Sequence, residues 1–342
     1  MTDFALKLLD WYRINKRDLP WRETNDPYKI WLSEIIMQQT QVIQGESYYL
    51  KFVTNYPTIK DLAMASEEDV LKLWQGLGYY SRARNLHTTA KYVSIELNGV
   101  FPSVYNEILK LKGVGPYTAA AIASFCFELP HAVVDGNVYR FIARLKGINT
   151  PIDSTEGKKE FALLADELLN RQNPGEHNQA MMEFGALACK AANPLCETCP
   201  FFNDCAAVAQ DMVEQLPVKQ KKVKQRKRYF HYFFIEEEGR FMVEKRLKKD
   251  IWQNLYQLPL IESKTEKLEL NLKKMAHPVK ACQRKHILSH QVIYATFYIA
   301  QSAILDGLSG DYIKVDSKAI LKFPYPQLIA NFLNERIRVQ QD

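Results

Sequence analysis

Four cysteines within 17 residues constrain this chain more than any other feature of its sequence. They have the spacing C-x6-C-x2-C-x5-C and are Cys189, Cys196, Cys199 and Cys205. Four thiols this close together inside a cell are typical of a metal site rather than of disulfide bonds. Zinc sites tend to use two separate C-x2-C pairs, whereas one C-x2-C in a single compact loop suits a cubane cluster. We therefore predict a [4Fe–4S] cluster, with zinc as the alternative.

The sequence also indicates the cellular compartment of the protein and the partners that its charge would suit. No apolar run approaches the roughly 20 residues that a membrane span needs, and residues 1–19 do not resemble a secretory signal. We therefore expect an intracellular, cytoplasmic protein. The net charge of +6 suits a nucleic-acid partner, but equally a mildly basic enzyme. Seven of the ten residues 219–228 are basic, which indicates either a solvated linker or a surface for DNA phosphates.

The first 212 residues have the pattern of a helical domain. Asp26 followed by Pro27 is a helix start, with an N-cap acceptor and a proline in the first turn. A buried stripe at helical spacing is then predicted for Leu32, Ile35, Ile36, Val42 and Ile43. Ser66 and the acidic residues after it open another helix. Further helices are predicted at 81–97, 103–111, 117–127, 138–145 and 155–171.

The character of the chain changes after the basic run. Residues 229–236, 240–245 and 292–300 are rich in aromatic and β-branched side chains, which predicts strands. With 342 residues the chain is long enough for two or three domains. We therefore predict a helical domain at 1–212, a basic linker at 213–228 and a smaller α+β domain at 229–342.

A glycine pair lies between two of the predicted helices. Gly113 and Gly115 allow a tight turn and a close approach of the backbone to a ligand. The amide groups at the start of the following helix would face an anion such as a DNA phosphate. A plain helix–turn–helix corner is the alternative.

Two carboxylates are candidate catalytic groups. Asp135 directly precedes an apolar helix, whose positive end should keep the carboxylate ionised, and a simple N-cap is the alternative. Glu34 lies on a helix beside Trp31 and apolar residues, and burial there would raise its pKa as a general acid requires. A solvent-facing glutamate is the alternative for that position.

These motifs together resemble the endonuclease III superfamily and, within it, the adenine DNA glycosylases. Beside the cysteines, the resemblance rests on L-x-G-V-G-x-x-T-A at 111–119, V-D-G-N-V at 134–138 and S-E-I-I-M-Q-Q-T-Q-V at 33–42. It implies a mainly α N-terminal helix-hairpin-helix domain, with the hairpin at about 103–127 and the iron–sulfur loop at 189–205. The implied reaction is hydrolysis of the N-glycosidic bond of adenine mispaired with 8-oxoguanine or guanine in duplex DNA. This leaves an abasic site for base excision repair.

The resemblance also implies a role for each group at the reaction centre. Glu34 would protonate the adenine ring at N7, while Asp135 would stabilise, or briefly bond to, the sugar cation. Tyr117 and Asn137 would support that transition state by hydrogen bonding. Superfamily members with lyase activity have a lysine at position 117, whose amine forms a Schiff base. Tyrosine cannot form an imine, so we predict a monofunctional glycosylase without strong lyase activity.

Further positions that match the family imply contacts with DNA. Leu77 and Tyr79 would fill the base stack when the adenine is flipped out, although an aromatic such as Tyr79 is more often a core residue. Lys190 in the iron–sulfur loop would touch a phosphate. The other implied DNA contacts are Arg22, Gln39, Thr40, Gly113 and Gly115. The expected enzyme is a monomer that works at the nucleoid.

The C-terminal part resembles the nudix-like domain of the same family. W-x-x-L-Y-x-x-P at 252–259 matches one of its strands, but no R-E-x-x-E-E magnesium motif follows, so nucleotide hydrolysis is not expected. In the family, a loop that reads F-S-H recognises 8-oxoguanine. Ser289 and His290 match this loop, whereas Leu288 replaces the phenylalanine and removes any ring stacking. An ordinary turn before a strand is the alternative for Ser289 and His290.

Three other functions stay open at this point. A bifunctional glycosylase/lyase for damaged pyrimidines is disfavoured by Tyr117 and by the C-terminal domain. A non-enzymatic DNA-binding or redox-sensing iron–sulfur protein would not need the two carboxylates. A nucleotide pyrophosphatase is disfavoured by the missing magnesium motif.

Overall fold

A computed structural model describes residues 2–220, 225–268, 278–308 and 310–338. Contacts between residues divide the chain into two units. The N-terminal unit comprises Met1–Ala63 and Thr88–Lys221, and the C-terminal unit comprises Met64–His87 and Lys222–Asp342. Helices dominate the first 212 residues and a sheet dominates the C-terminal part, which confirms the predicted fold class.

The helices of the described residues are numbered in chain order. They are α1 Asp3–Asn15, α2 Pro27–Met37, α3 Val42–Asn55, α4 Ile59–Met64, α5 Glu67–Leu73, α6 Ser81–Ile95, α7 Tyr105–Leu109, α8 Pro116–Phe127, α9 Gly136–Lys146, α10 Thr155–Leu168, α11 Pro174–Leu187, α12 Ala206–Ala209, α13 Ser317–Ile320 and α14 Gln327–Arg338. The five helices predicted from 81 to 171 are confirmed as α6 to α10, with ends that differ by at most three residues.

Side-chain caps determine where several of these helices begin. The carboxylate of Asp26 accepts a hydrogen bond from the Tyr28 amide at 2.9 Å, and Pro27 follows in the first turn of α2. The hydroxyl of Ser66 accepts from the Asp69 amide at 3.0 Å at the start of α5. Both helix starts were predicted from the sequence, because capping is a local interaction between neighbouring residues.

The predicted apolar stripe is wrong at its C-terminal end. Helix α2 ends at Met37, Gln39 has a left-handed backbone with φ of 56°, and α3 begins only at Val42. Leu32, Ile35 and Ile36 are buried as predicted, but Ile43 is 88% exposed. The left-handed turn changes the direction of the helix axis, so the spacing no longer places these residues on one face.

The C-terminal unit is built around a mixed sheet. Its strands are β1 Arg226–Glu237, β2 Arg240–Lys245, β3 Tyr256–Gln257, β4 Leu260–Ser263, β5 Val279–Ile287, β6 Gln291–Ala300 and β7 Ile313–Asp316. The order is β3-β2-β1-β6-β5, with β4 also paired to β1 and β7 to β2. Strands β1 and β6 run parallel, and the other pairs run antiparallel. The three predicted strands are confirmed as β1, β2 and β6.

Residues 64–87 are grouped with the C-terminal unit, although the sequence places them within the helical domain 1–212. The ammonium group of Lys72 donates to the carbonyl oxygens of Leu321 and Phe323 at 2.7 and 3.0 Å. The Tyr80 hydroxyl donates to the carbonyl oxygen of Tyr325 at 3.2 Å. These partners lie about 250 residues away in the sequence, so local periodicity does not reveal them.

The predicted linker 213–228 is packed at both ends. Leu216 is 2% exposed and belongs to the core of the N-terminal unit, and β1 begins at Arg226. Of the basic run, Lys221, Lys222 and Lys224 lie outside the described residues. Within the part of the chain that is described, no helix is long and apolar enough to cross a membrane.

Candidate active site

Glu34 lies on α2 in a dry environment. Glu34 is only 7% exposed, and it lies one helical turn after Trp31, which is fully buried. Burial raises the pKa of Glu34 to about 7, and the negative charge of Asp135 adds to this shift. A hydrogen bond from Tyr117 and the charge of Arg22 act in the opposite direction. The pKa shift predicted from the sequence is confirmed, and it leaves a protonated carboxyl available near neutral pH.

Asp135 is the N-cap of α9. Its Oδ1 accepts hydrogen bonds from the Asn137 and Val138 amides at 2.9 and 2.8 Å, and Oδ2 accepts from the Asn137 side-chain amide at 2.8 Å. Burial raises the pKa of Asp135, and these hydrogen bonds and the charge of Arg140 only partly oppose it. The stabilisation of the anion by the helix start was expected, but the stronger opposing effect of burial was not.

Tyr117 is hydrogen-bonded to one of the two carboxyl groups. It lies in the first turn of α8, directly after the hairpin, and its hydroxyl donates a hydrogen bond to Glu34. Burial and the charges of Glu34 and Asp135 raise the pKa of Tyr117 well above its ordinary value. The structure thus brings Glu34, Tyr117, Asp135 and Asn137 together, as the sequence analysis proposed for the reaction centre.

A small cavity in the N-terminal unit lies beside Glu34. It is lined by Trp21, Arg22, Ile30, Phe125, Gln179 and Met182. Arg22 was expected to touch DNA, and the structure places it in this wall with a bidentate ion pair to Glu183 at 2.8 and 3.1 Å. Sequence reasoning missed Gln179 and Glu183, because they lie on α11, more than 140 residues from Glu34.

The hairpin between α7 and α8 has the geometry that its glycines predicted. Gly113 has φ of 82°, a conformation that side chains rarely adopt, and Gly115 is the N-cap of α8. Among the described residues, no atom lies within 4 Å of the position that a Cβ would take at Gly115. The Cβ position at Gly115 is open to a ligand, and a helix start of this kind suits an anion.

Gln39 and Tyr79 share an uncommon backbone conformation. Their φ values are 56° and 45°, and such left-handed conformations at residues other than glycine are of order 1–3 kcal/mol above the usual ones. Gln39 is exposed, and Tyr79 is 42% exposed. The contacts with DNA expected at both positions stay predictions.

The four cysteines of the loop after α11 line one cavity. Cys189, Cys196, Cys199 and Cys205 are all free thiols, half-buried around it. Arg144 donates a hydrogen bond to the Cys189 sulfur at 3.4 Å, and a cationic donor suits a thiolate ligand. Within the described ranges, no group of three or more Cys, His, Asp or Glu is arranged to hold a single metal ion. The chemistry of four cysteine ligands suits an iron–sulfur cluster, and it also suits the zinc ion named above as the alternative.

A chain of hydrogen bonds joins this loop to Asp135. Asn137, which donates to Asp135, accepts from Arg140 at 3.0 Å. Arg140 also donates to the carbonyl oxygen of Cys189 at 2.7 Å. Lys190, the expected phosphate contact, is partly buried, and its carbonyl oxygen accepts from Arg144 at 2.7 Å. The position of the carboxylate at 135 is therefore tied to the fold of the cysteine loop.

A second candidate site lies within the C-terminal unit. A cleft of about 360 Å³ is lined by residues 77–81, 250–252 and 287–290. Ser289 and His290 are exposed, and the Ser289 hydroxyl lies 3.2 Å from Nδ1 of His290. Tyr79 and Leu77 both line this cleft, and Leu77 is only 7% exposed.

Two carboxylates that follow Pro259 have partners within the protein. Glu262 pairs with Arg228 at 2.7 Å, and Glu266 accepts a hydrogen bond from Gln283 at 2.7 Å. Glu269 lies outside the described residues.

Glu34→Gln is expected to stabilise the protein at alkaline pH. The folded-state pKa of about 7 lies above the unfolded value of about 4.5, so the contribution of Glu34 is fully present below 4.5 and lost as the pH rises through 7. Glutamine mimics the protonated form and removes this loss, which amounts to up to about 3 kcal/mol. Urea unfolding at pH 5 and pH 8 measures it. An equal effect of the substitution at both values would contradict the raised pKa.

Comparisons with known proteins find a matching family for each of the two parts of the chain. Residues 32–167 match the family described as HhH-GPD superfamily base excision DNA repair protein, and residues 231–335 match the NUDIX domain. An adenine DNA glycosylase of Buchnera aphidicola subsp. Acyrthosiphon pisum is 31% identical and covers 93% of this chain and 91% of its own length. An adenine DNA glycosylase of Homo sapiens is 43% identical over 63% of this chain and 41% of its own.

Solved structures show the same fold for the N-terminal part. A thermostable thymine-DNA glycosylase is similar with a TM-score of 0.56 and 30% identity, over 60% of this chain and 95% of the other. An endonuclease III in a non-covalent complex with DNA has a TM-score of 0.52 over 61% of this chain and 94% of the other. At 22% identity, the second similarity concerns the fold alone.

Proposed function

Since this chain belongs to the adenine DNA glycosylases of base excision repair, we propose that it removes adenine mispaired with 8-oxoguanine or guanine in duplex DNA. The observation that carries this proposal is that one site contains two carboxyl groups, one with a pKa near neutrality and one that caps a helix. Glu34 has a pKa of about 7, and Asp135 accepts three hydrogen bonds as a helix cap. One acid and one anion are what cleavage of a glycosidic bond requires.

The proposed reaction begins with a proton transfer. Glu34 gives its proton to N7 of the flipped adenine, and the bond between N9 of the base and C1′ of the sugar then breaks with its electron pair on the base. Asp135 stabilises the positive charge that develops on the sugar. Water adds to C1′ and loses a proton to a carboxylate, so the products are adenine and an abasic site. Tyr117 holds the Glu34 carboxyl in place through its hydrogen bond.

We further propose that the enzyme is monofunctional. The hairpin places Tyr117 directly against Glu34, and a phenol at this position has no amine that could attack the sugar. Borohydride should therefore trap no covalent complex on duplexes that contain adenine opposite 8-oxoguanine. A trapped complex would instead favour a glycosylase/lyase, for which damaged pyrimidines would be tested.

The cleft of the C-terminal unit is the proposed site for the base opposite the adenine. Ser289 and His290 offer hydroxyl and imidazole groups at its rim, and Tyr79 offers an aromatic face for stacking. Leu288 also lines the cleft, and a leucine supplies no ring. We therefore expect a weaker preference for 8-oxoguanine than a phenylalanine at 288 would give.

A [4Fe–4S] cluster on Cys189, Cys196, Cys199 and Cys205 is the proposed cofactor. Its role is to hold the loop around Lys190 for contact with a DNA phosphate, and it takes no part in bond cleavage. Cys199→Ser should therefore reduce iron content and visible absorbance together with DNA affinity or folding yield. Full DNA binding by an iron-free variant would contradict this role.

The test of the function is single-turnover release of adenine from a duplex with adenine opposite 8-oxoguanine. Release of free adenine, with an abasic site revealed by alkali, is the expected result. Binding of the same duplex without release would favour a DNA-binding protein without glycosylase activity. Size-exclusion chromatography with light scattering would test the proposed monomer.

A further inference from the structure

Arg228 lies at the centre of an ion-pair network in the C-terminal unit. Its side chain is only 7% exposed. The guanidinium donates to both carboxylate oxygens of Asp250 at 3.0 and 2.7 Å and to both oxygens of Glu262 at 2.7 Å each. In the sequence, Arg228 is the last member of the basic run, so a solvated or phosphate-binding role was considered for it. The structure instead shows a buried arginine with a fixed orientation.

The network reaches two walls of the cleft. Asp250 lines the cleft directly. On the other side, Arg228 donates to the side-chain oxygen of Gln291 at 3.2 Å, and Gln291 directly follows His290. The amide of Arg226 donates to the carbonyl oxygen of His290 at 3.0 Å, so β1 holds the end of the loop through both backbone and side chain.

The charges around Arg228 explain why a neutral residue would not serve equally well. Asp250 and Glu262 are about one-third exposed, and Arg246 gives Asp250 a second ion pair at 3.1 Å. Without Arg228 the network would lose one positive charge and keep both carboxylates. Asp250 would then be held by Arg246 alone, and its less compensated negative charge on the cleft wall would oppose an approaching nucleic-acid strand.

We propose that Arg228 is a positioning residue that holds Asp250 and the Ser289–His290 loop in the geometry that selects the base opposite the adenine. The inference rests on the proposed recognition of that base in this cleft. Arg228 itself touches no DNA and takes no part in the reaction at Glu34 and Asp135.

The test compares Arg228→Met and Arg228→Lys with the matched control Arg226→Met. Both arginines lie on β1, but Arg226 is exposed, so the control removes the same charge without disturbing the network. The readout is the ratio of single-turnover rates for adenine opposite 8-oxoguanine and adenine opposite guanine. Arg228→Met should lower this ratio by up to roughly tenfold, the effect expected when one recognition hydrogen bond is lost. Arg228→Lys should restore part of it, and Arg226→Met should leave it unchanged.

Each other outcome has a defined meaning. An unchanged ratio in folded Arg228→Met, even with a lower melting temperature, would show a merely structural role and overturn the inference. No preference in the wild-type protein would overturn the proposed base recognition, and the inference with it. If Arg228→Met does not fold, Gln291→Ala replaces it, because that variant keeps the ion pairs and removes only the side-chain link between Arg228 and the loop. An unchanged ratio in Gln291→Ala would then overturn the inference.

Discussion

Glu34→Gln is expected to lower the rate of adenine release by roughly 100-fold to 10,000-fold, the range that general acid catalysis usually contributes. Glutamine has the shape of the protonated side chain but has no proton of comparable acidity to give. Burial on α2 raises the pKa of Glu34 to about 7. A useful fraction of the wild-type protein therefore has a protonated Glu34 at neutral pH. Single-turnover release of adenine from a duplex measures the loss.

A matched control separates loss of the acid from loss of a charge. Glu167→Gln changes the same residue type on the exposed side of α10, and it should leave the rate unchanged. The wild-type rate should also fall as the pH rises through about 7, whereas the residual rate of Glu34→Gln should not follow that titration. Wild-type rates in the variant would remove Glu34 from the mechanism.

Asp135→Asn is expected to reduce adenine release by about 100-fold to 1,000-fold, comparable to the loss of one electrostatic contact to a transition state. Asparagine keeps a side-chain oxygen for the Asn137 and Val138 amides, so the start of α9 should stay capped. The negative charge that faces the developing sugar cation is lost. The same duplex assay, with DNA binding measured in parallel, distinguishes weaker chemistry from weaker affinity.

The control for this substitution is a second aspartate cap of the same geometry. Asp316 accepts hydrogen bonds from the amides two and three residues later, at 2.9 and 2.7 Å, as Asp135 does. Asp316→Asn should leave both stability and activity nearly unchanged. If Asp135→Asn behaves in the same way, the carboxylate at 135 is only a helix cap.

The sequence alone determined the features that depend on neighbouring residues. Local chemistry determines the helix starts at Asp26 and Ser66, the glycine hairpin before α8 and the cysteine spacing. Caps and tight turns involve residues only two to six positions apart. The resemblance to adenine glycosylases came from such local strings as well. Local patterns also indicated Glu34 and Asp135 as candidate catalytic carboxylates, although they did not show which groups surround either one.

Only the tertiary structure decided which distant residues share a site. It placed Tyr117 against Glu34, moved residues 64–87 into the C-terminal unit and buried Arg228 between two carboxylates. It also showed that burial outweighs the helix start in setting the pKa of Asp135. The physical reason is that desolvation and ion pairing depend on the groups that surround a side chain in space, and sequence periodicity carries no information about neighbours more than a few turns away.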